Sequence, residues 1–198
     1  MNRNRLKFLQ NPEFNSIGSD VEKHIEAWIE SNKPAETAGL LDQLCSGILT
    51  RIFDRIGGSE GTVWLAKPDG SALVAVSNSG PNADHIVGFE QPIGSGIISM
   101  VFAQQQPYCE NHIGAKSGHD DTLDKQVCLA TRSMVAVPFY FAFGLRGVIS
   151  CVQLQEKDQP EPAGFESIHV ESMVRAGNNV EQLINGKLLS VTLGLDES

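Results

Sequence analysis

The sequence predicts an α+β fold, in which helices pack on one face of an antiparallel sheet. Near both ends of the chain, apolar residues recur about every four positions, which is the spacing of one helix face. In the middle of the chain the spacing falls to two, as in strands. The predicted strands come in pairs separated by short turns, and strands joined in this way must be antiparallel.

A polar stretch, residues 1–18, opens the chain and is predicted to be a loose arm. Ser19 and Glu22 follow as a capping box, in which the serine oxygen accepts a first-turn amide and the glutamate reaches back. The first helix is therefore predicted from Ser19 to about Ser31, ending before Pro34.

Two neighbouring rows of apolar residues predict a second helix. Gly57 and Gly58 are expected to end it, because glycine enters the left-handed cap without steric cost. The rows consist of Leu40, Leu44, Ile48, Ile52 and Ile56, and of Leu41, Cys45, Leu49 and Phe53.

Short extended segments and one compact helix follow. Strands are predicted at 61–67 and 72–79, joined by Pro-Asp-Gly, and another extended piece lies in "HIVGFEQPIG". The segment "SGIISMVFAQQQ" predicts a helix that stops at Pro107, after which "PYCENH" is extended again.

The second half of the chain begins with a polar, irregular segment, residues 114–131, with a candidate short helix near 122–130. The most β-rich segment, "RSMVAVPFYFAFGLRGVISCVQLQ", predicts two long strands around a turn at Phe143–Leu145. A long helix is predicted from about Phe165 to Leu189.

The composition excludes several classes of function. The 198 residues include 24 acidic and 15 basic ones, for a net charge of -9. No cluster of lysines and arginines is available to displace counterions from phosphates, so nucleic acids and anionic membranes are not expected as partners. The sequence has neither a secretory signal nor a run of apolar residues long enough for a membrane span, which predicts a cytoplasmic protein. Its four scattered cysteines are expected to be free thiols.

Four segments, in order, resemble the GAF domain family over roughly residues 38–188. They are the second helix with "EGTVWLAKPDGSALVAVSNSG"; "PIGSGIISMVFAQQQPYCENH", with a Gly-x-Gly helix entry; "TRSMVAVPFYFAFGLRGVISCVQL", with the Arg-Ser, proline and glycine pattern; and the closing helix. The resemblance divides the chain into an arm and helix at 1–35, a GAF domain at 36–190 and a tail at 191–198. It implies a stand-alone domain, since the sequence ends at Ser198 without an output domain.

The resemblance also implies the architecture of GAF and PAS-like domains. The antiparallel sheet should have six strands, with the N- and C-terminal helices on one face and a small-molecule pocket on the other. The motifs of cyclic-nucleotide-binding and bilin-linking members are absent, so neither ligand is expected.

Eight residues are predicted to line the pocket, with Arg132 as a polar handle and residues 114–131 as a lid. Some of them would instead fill the core, because the sequence does not fix which face each strand position takes. The eight are Trp64, Val76, Phe89, Ile98, Phe102, Cys109, Arg132 and Met134.

The stretch "PIGSG" has the beginning of a phosphate-binding loop. A dinucleotide fingerprint needs a third glycine, where this chain has Ser99, and a Walker loop needs a Gly-Lys pair, which is absent. Gly94 and Gly96 are therefore interpreted as residues that let the chain turn sharply into a helix.

Two alternatives stay open, a site for a divalent metal ion and a thiol-dependent redox enzyme. Cys109, His112, His119, Asp120 and Asp121 are metal-ligand types within 13 residues, although no metal or cofactor is assigned to them.

The other alternative is a thiol-dependent redox enzyme. Cys128 lies near a position where one branch of the family, the free methionine-(R)-sulfoxide reductases, has a cysteine, and Cys109 is the candidate second thiol. The helix entry at Ile97, Ile98 and Ser99 lacks the other cysteine of that branch. No catalytic residue is therefore assigned, and the chain is not expected to be an enzyme.

Phe139, Phe141 and Phe143 alternate along one predicted strand and therefore share one sheet face. The preferred interpretation places them in the core beneath the helices. The alternative places them along the pocket or a partner contact.

The most consistent function is a signalling domain that senses a small molecule. Its ligand would shift the packing of the terminal helices. The chain is expected to form a homodimer through stripes led by Leu40, Ile48, Val180 and Leu188, and a partner signalling protein is a further expectation. The alternative is a dimerisation or interaction module with a degenerate pocket.

Overall fold

The computed structural model describes residues 12–113, 130–155 and 159–192. The helices are α1 (Pro12–Ser31), α2 (Pro34–Thr37), α3 (Gln43–Arg55), α4 (Ala83–Ile86), α5 (Gly96–Gln104) and α6 (Ser167–Thr192), with a 3₁₀ turn at Ala38–Leu40. The strands are β1 (Glu60–Ala66), β2 (Ala72–Asn78), β3 (Glu90–Pro92), β4 (Tyr108–Glu110), β5 (Ala130–Phe141) and β6 (Gly144–Gln155). Within these residues, no helix combines the length and hydropathy that a membrane span requires.

The six strands form one antiparallel sheet in the order β3-β2-β1-β6-β5-β4, which confirms the predicted architecture. The long β5–β6 hairpin lies near its centre, and β1 pairs along β6. At Gly147, β6 approaches β1 so closely that a Cβ would lie 1.8 Å from the carbonyl oxygen of Trp64. Only glycine fits at that position.

Helices α1, α3 and α6 cover one face of the sheet, as predicted, and bury the larger core cluster between them. Val180 and Leu188 of α6 belong to that core and are 0% and 2% exposed. A side chain buried in its own domain cannot contact a second copy, so the prediction that these two residues lead a dimer interface is wrong. Leu40 and Ile48 are only partly buried and remain accessible.

The aromatic residues of the β5–β6 hairpin lie in this helix-covered core. Phe139 and Phe141 are 1% and 2% exposed, with ring centroids 5.2 Å apart, and Phe143 packs against the same cluster. The preferred interpretation of these three residues is confirmed.

The hairpin turn consists of Ala142 and Phe143, one residue earlier than predicted. Both residues have positive φ, 45° and 62°, as a two-residue type I′ turn requires. Neither is a residue type that favours this region, so neighbours must hold the turn. The amide of Ala142 donates to Asn185 Oδ1 of α6 at 2.7 Å, and the Arg146 guanidinium donates to the carbonyl of Ala142 at 2.8 Å.

Two predicted helix starts are wrong. Helix α1 already spans Pro12–Ser31, so Ser19 lies inside it and does not cap it. The helix α3 begins at Gln43, because Asp42 caps it by accepting from the Cys45 amide at 2.9 Å.

The remaining boundaries differ in detail. Helix α5 ends when Gln105 enters the left-handed region, at φ 56°, two residues before Pro107. The short helix α4 was not predicted from the sequence. Most of the predicted segment 122–130 lies outside the described residues, and Ala130 begins β5.

Candidate functional site

The sheet face opposite α1, α3 and α6 forms the floor of the candidate site. Side chains of β1 point alternately to the two faces of the sheet, which decides which of them belong to this floor. Glu60, Thr62 and Trp64 point to this face, because side chains two residues apart in a strand share a side. Thr62 pairs with Asn78 on β2 and with Ser150 on β6, so these side chains lie beside it. The centre of the floor is therefore polar.

One half of this face is filled with apolar side chains. The helices α4 and α5 pack over it and contribute to a second, smaller core cluster. Its buried members are Trp64, Leu73, Ala75, Ile86, Ile97, Ile98, Val101, Ile113, Met134, Ala136 and Val148.

The other half is built around the carboxylate of Glu60, which is 4% exposed. It accepts hydrogen bonds from two amide groups, from Asn82 Nδ2 at 2.5 Å and from Asn78 Nδ2 at 3.4 Å. Asn78 also donates to the Thr62 hydroxyl at 3.0 Å. We call these four residues the Glu60 cluster.

The Glu60 cluster holds the turn that leads from β2 to α4. The amide of Gly80 donates to Asn78 Oδ1 at 2.7 Å, and the Gly61 amide donates to the Ser79 hydroxyl at 3.0 Å. A Cβ at Gly80 would lie 2.3 Å from Cγ of Glu60, so the turn lies directly against the carboxylate. The acid and the turn therefore fix each other's position.

Trp64 separates the polar and apolar halves of the floor. Its indole Nε1 donates to the Ser150 hydroxyl at 2.9 Å, and both residues are buried, at 4% and 3% exposed. Its ring contacts Phe89 edge-on, with centroids 6.4 Å apart. The ring of Trp64 therefore packs against an apolar neighbour, while its N–H group is hydrogen-bonded to Ser150 on the adjacent strand β6.

The Glu60 carboxylate has no cationic partner within the described part of the chain, where no lysine, arginine or histidine nitrogen approaches it within 4 Å. Burial of a carboxylate costs free energy that neutral amide donors offset only in part. A carboxylate forms stronger hydrogen bonds with an ammonium or another charged donor than with such neutral amides.

The Gly94–Gly96 entry to α5 has the role predicted for it. Gly94 and Gly96 have φ of 94° and 73°, values that L residues avoid. The hydroxyl of Ser99, at the position of the missing third glycine, accepts the Gly94 amide at 2.5 Å. That amide is consequently used inside the loop and is not offered to a phosphate.

Five of the eight predicted pocket residues lie together at the second cluster. Trp64, Ile98 and Met134 are buried in it, and Phe89 and Phe102 pack against it. Whether they contact a ligand stays a prediction.

Of the other three predicted residues, Val76 and Cys109 lie on the opposite face of the sheet, which corrects their placement, whereas the carbonyl of Arg132 accepts from the Ile113 amide beside the second cluster. Val76 and Cys109 pack against the core beneath the helices, and Arg132 forms an ion pair with Glu161. Cys109 pairs with Val135, whose side chain faces the helices. Val76 is the extra residue of a β-bulge, since Val63 pairs with Ser77 and Trp64 with Ala75.

The Glu60 cluster was not predicted from the sequence. The available signal was the pair of polar residues, Glu60 and Thr62, at alternate positions just before Trp64 in an otherwise apolar strand. Asn78 and Asn82 gave no comparable signal, because they look like ordinary turn residues in "SNSGPN".

None of the cysteines in the described residues has the properties of an activated thiol. Burial raises the pKa of Cys45, of Cys109 and of Cys151, the last to about 12. Nearby carboxylates act in the same direction, Asp42 on Cys45 and Glu110 on Cys109. A nucleophilic cysteine needs the opposite environment. Cys128 lies outside the described residues.

Among the described residues no group of three or more potential metal ligands converges. Of the predicted metal-ligand types, Cys109 and His112 are described, whereas His119, Asp120 and Asp121 lie outside the described residues.

The fold was compared with known proteins. No protein-family model matches the sequence, and no curated protein does. Among solved structures, the GAF domain of a phosphoenolpyruvate-protein phosphotransferase from Coxiella burnetii superimposes with a TM-score of 0.60 at 13% identity, covering 93% of this chain and 99% of that one. A methyl-accepting chemotaxis protein, residues 122 to 287, gives 0.59 at 15% identity, covering 90% and 99%.

A third neighbour is an enzyme, the free methionine-R-sulfoxide reductase from Neisseria meningitidis. It gives a TM-score of 0.52 at 15% identity, covering 98% of this chain and 99% of that one. At identities this low, the superpositions establish the architecture and leave the activity open. The chain has the fold of a GAF domain.

Proposed function

We propose that this GAF domain is a cytoplasmic regulatory sensor that binds a small molecule on the sheet face opposite its terminal helices. The observation that carries the proposal is the Glu60 carboxylate, buried on that face with neutral amide partners among the described residues. The methyl-accepting chemotaxis protein among the structural neighbours supports a sensory role.

The chemistry of the Glu60 cluster selects the class of ligand. Its carboxylate accepts hydrogen bonds, and the adjoining floor at Trp64 is aromatic. We propose a ligand with an ammonium or another strong donor joined to a small apolar part. The donor pairs with Glu60 and the apolar part packs beside the indole.

Signal transmission would use β1, which contributes to both faces. Glu60, Thr62 and Trp64 face the proposed site, whereas Val63 and Leu65 lie in the core beneath the helices. A ligand shifts the helix packing only as far as it binds one arrangement better than the other. Of the predicted lid, residues 114–131, the part at 114–129 lies outside the described residues, and Ala130 and Thr131 belong to β5.

The test is a thermal-shift screen of primary amines and amino acids against the purified protein. A ligand at about 100 times its Kd stabilises by about 2.7 kcal/mol, which raises Tm by roughly 5–11 °C for a chain of this size. We expect Glu60→Gln to abolish the shift while Glu171→Gln, which alters an exposed pair with Arg175, retains it. An equal shift in both variants would exclude Glu60 from the site.

We propose that the domain is not an enzyme. The raised pKa of each described cysteine supports this, because a redox cycle needs a thiolate near neutral pH. Turnover of free methionine-(R)-sulfoxide with thioredoxin and its reductase, lost in Cys109→Ser or Cys128→Ser, would contradict the proposal.

We also propose that the domain forms a homodimer through the outer face of α3. Leu44 is 58% exposed, and the partly buried Ile48 and Ile52 follow it on the same helix face. We expect Leu44→Glu to halve the mass measured by light scattering at tens of micromolar. Val87→Glu, at an equally apolar exposed position after α4, should leave the mass unchanged. A monomeric wild type would refute the proposal.

A further inference from the structure

A cavity of about 480 Å³ lies between the N-terminal helices and two hairpins. Its walls come from α1 and α2, from the β1–β2 hairpin, from the β5–β6 turn and from Phe102 of α5. We propose that this cavity binds a small carboxylic acid with an apolar body, whose carboxylate pairs with Arg146.

The cavity is separate from the Glu60 cluster, none of whose residues lines it. It depends on α1, α2 and the residues between them, which contribute Ile29, Asn32, Pro34 and Thr37. The proposal therefore does not rest on the sensing function assigned to the other face.

Arg146 is the group that selects an acid. Its guanidinium donates to the carbonyls of Phe141 and Ala142, at 3.4 and 2.8 Å. Within the described residues no carboxylate oxygen comes within 4 Å of it. A guanidinium carries five N–H donors in a planar fork, so donors remain for a carboxylate.

The surrounding charges leave Arg146 as the cation of the cavity. Lys67 also lines it, but its ammonium is paired with Glu90 at 3.2 Å. Burial lowers the pKa of Arg146, while Glu26 and Glu30 act on it from a distance in the opposite direction. Glu30 lines the cavity and Glu26 does not, and both acids are exposed, so solvent weakens their effect on a bound acid.

The rest of the wall suits an apolar body. Ile29, Leu65 and Phe141 are 9%, 3% and 2% exposed and line the cavity together with Leu145. A volume near 480 Å³ lies within the range of about 300–1,000 Å³ that small-molecule sites occupy. Small-molecule sites typically combine apolar walls with a few fixed polar groups, and here Asn32, Thr37 and Arg146 are among the polar lining residues.

The wall at Arg146 is also strained. Ala142 and Phe143 hold positive φ although neither is glycine, and Arg146 and Asn185 keep them there. Strain of this kind collects where proteins bind ligands. Two hydrogen bonds through Ala142 connect Arg146 to Asn185, which belongs to α6.

The test uses 3-phenylpropanoate as the probe and its neutral amide, 3-phenylpropanamide, as the matched compound. Isothermal titration calorimetry on the full chain at low salt should detect the acid, with the amide at least tenfold weaker. Equal binding of the two compounds would overturn the proposal. So would the absence of binding at about 5 mM acid, a concentration that is high enough to detect a Kd in the millimolar range.

Three variants locate the site. Arg146→Gln should remove the preference for the acid. Ala66→Phe should block the cavity, which Ala66 lines, while the control Ala103→Phe adds the same ring at an exposed position of α5. Glu30→Gln should tighten binding of the acid by about two- to fivefold, because it removes a nearby repulsive charge.

Ala66→Phe also covers the case in which Arg146→Gln unfolds the β5–β6 turn. Loss of binding in Ala66→Phe but not in Ala103→Phe, with tighter binding in Glu30→Gln, supports the assignment. Unchanged binding in a folded Ala66→Phe, or weaker binding in Glu30→Gln, would place the acid elsewhere and overturn it.

Discussion

Ser150→Ala is the substitution that most directly tests the polar floor. It removes the acceptor of the Trp64 indole, whose Nε1 lies 2.9 Å from the hydroxyl, with both residues 4% exposed or less. A buried donor left without a partner costs about 1–3 kcal/mol. With Tm falling by about 2–4 °C per kcal/mol in a chain of this length, a loss of about 2 kcal/mol lowers Tm by about 4–8 °C.

A double-mutant cycle isolates this hydrogen bond from the other effects of the substitution. Urea denaturation of the wild type, of Ser150→Ala, of Trp64→Phe and of the double variant should give a coupling energy of about 1–2 kcal/mol, because phenylalanine has no donor to leave unpaired. Ser172→Ala, whose hydroxyl bonds its own exposed helix, serves as the control and should change stability by less than about 0.5 kcal/mol. If Ser150→Ala costs the same with tryptophan and with phenylalanine at position 64, the bond is not the cause and the described floor is wrong.

Three further predictions concern the framework. Hydrogen bonding to the Cys45 amide and to Lys187 lowers the pKa of Asp42 from 3.8 to about 2, so its contribution to stability is complete above about pH 4 and is lost as the pH falls through 2. The difference in unfolding free energy between wild type and Asp42→Asn should therefore shrink across that pH range in urea melts. A constant difference would contradict this prediction. Gly147→Ala should destabilise by about 1–3 kcal/mol in urea or fail to fold, because its Cβ meets a backbone oxygen; a neutral effect would show that β1 and β6 lie farther apart. Cys151, with a pKa of about 12, should resist alkylation by iodoacetamide at pH 8 in the native protein and react only on unfolding, as followed by mass spectrometry, and rapid native labelling would oppose its burial.

Much of the architecture was predictable because apolar residues recur at regular spacings along its helices and strands. The two long strands and the closing helix follow from apolar residues that alternate with a period of two or recur with a helical period. The turn into α5 was predictable for a different reason, since Gly94 and Gly96 have the positive φ that glycine permits.

The errors arise where tertiary contacts outweigh a local pattern. Ser19 and Glu22 form a good capping pattern, yet the helix continues to Pro12 on its N-terminal side. The β5–β6 turn uses Ala142 and Phe143, which no turn preference selects, because Asn185 and Arg146 hold it from outside the hairpin.

The candidate site was only half predictable. Its apolar part followed from the expected position of α5, and Trp64 and Ile98 lie there. Val76 lies on the face of the helices because it alternates with Leu73 and Ala75 of the second cluster, a strand phase that the sequence alone does not fix. The Glu60 cluster depends on residues from β1, β2 and the following turn, and such a combination becomes visible only when the strand register is known.

The two tryptophans provide the measurement that tests the central claim most directly, because they report on different faces of the sheet. Trp64 lies on the floor beside the Glu60 cluster, and Trp28 packs against the core beneath the helices. The indole N–H signals in a ¹H–¹⁵N spectrum, assigned with Trp64→Phe and Trp28→Phe, should be followed as the strongest stabilising amine from the screen is added. We expect the chemical shift of the Trp64 indole signal to follow ligand binding in the wild type and to stay unchanged in Glu60→Gln. A saturating ligand that leaves the Trp64 signal unmoved in the wild type would contradict it.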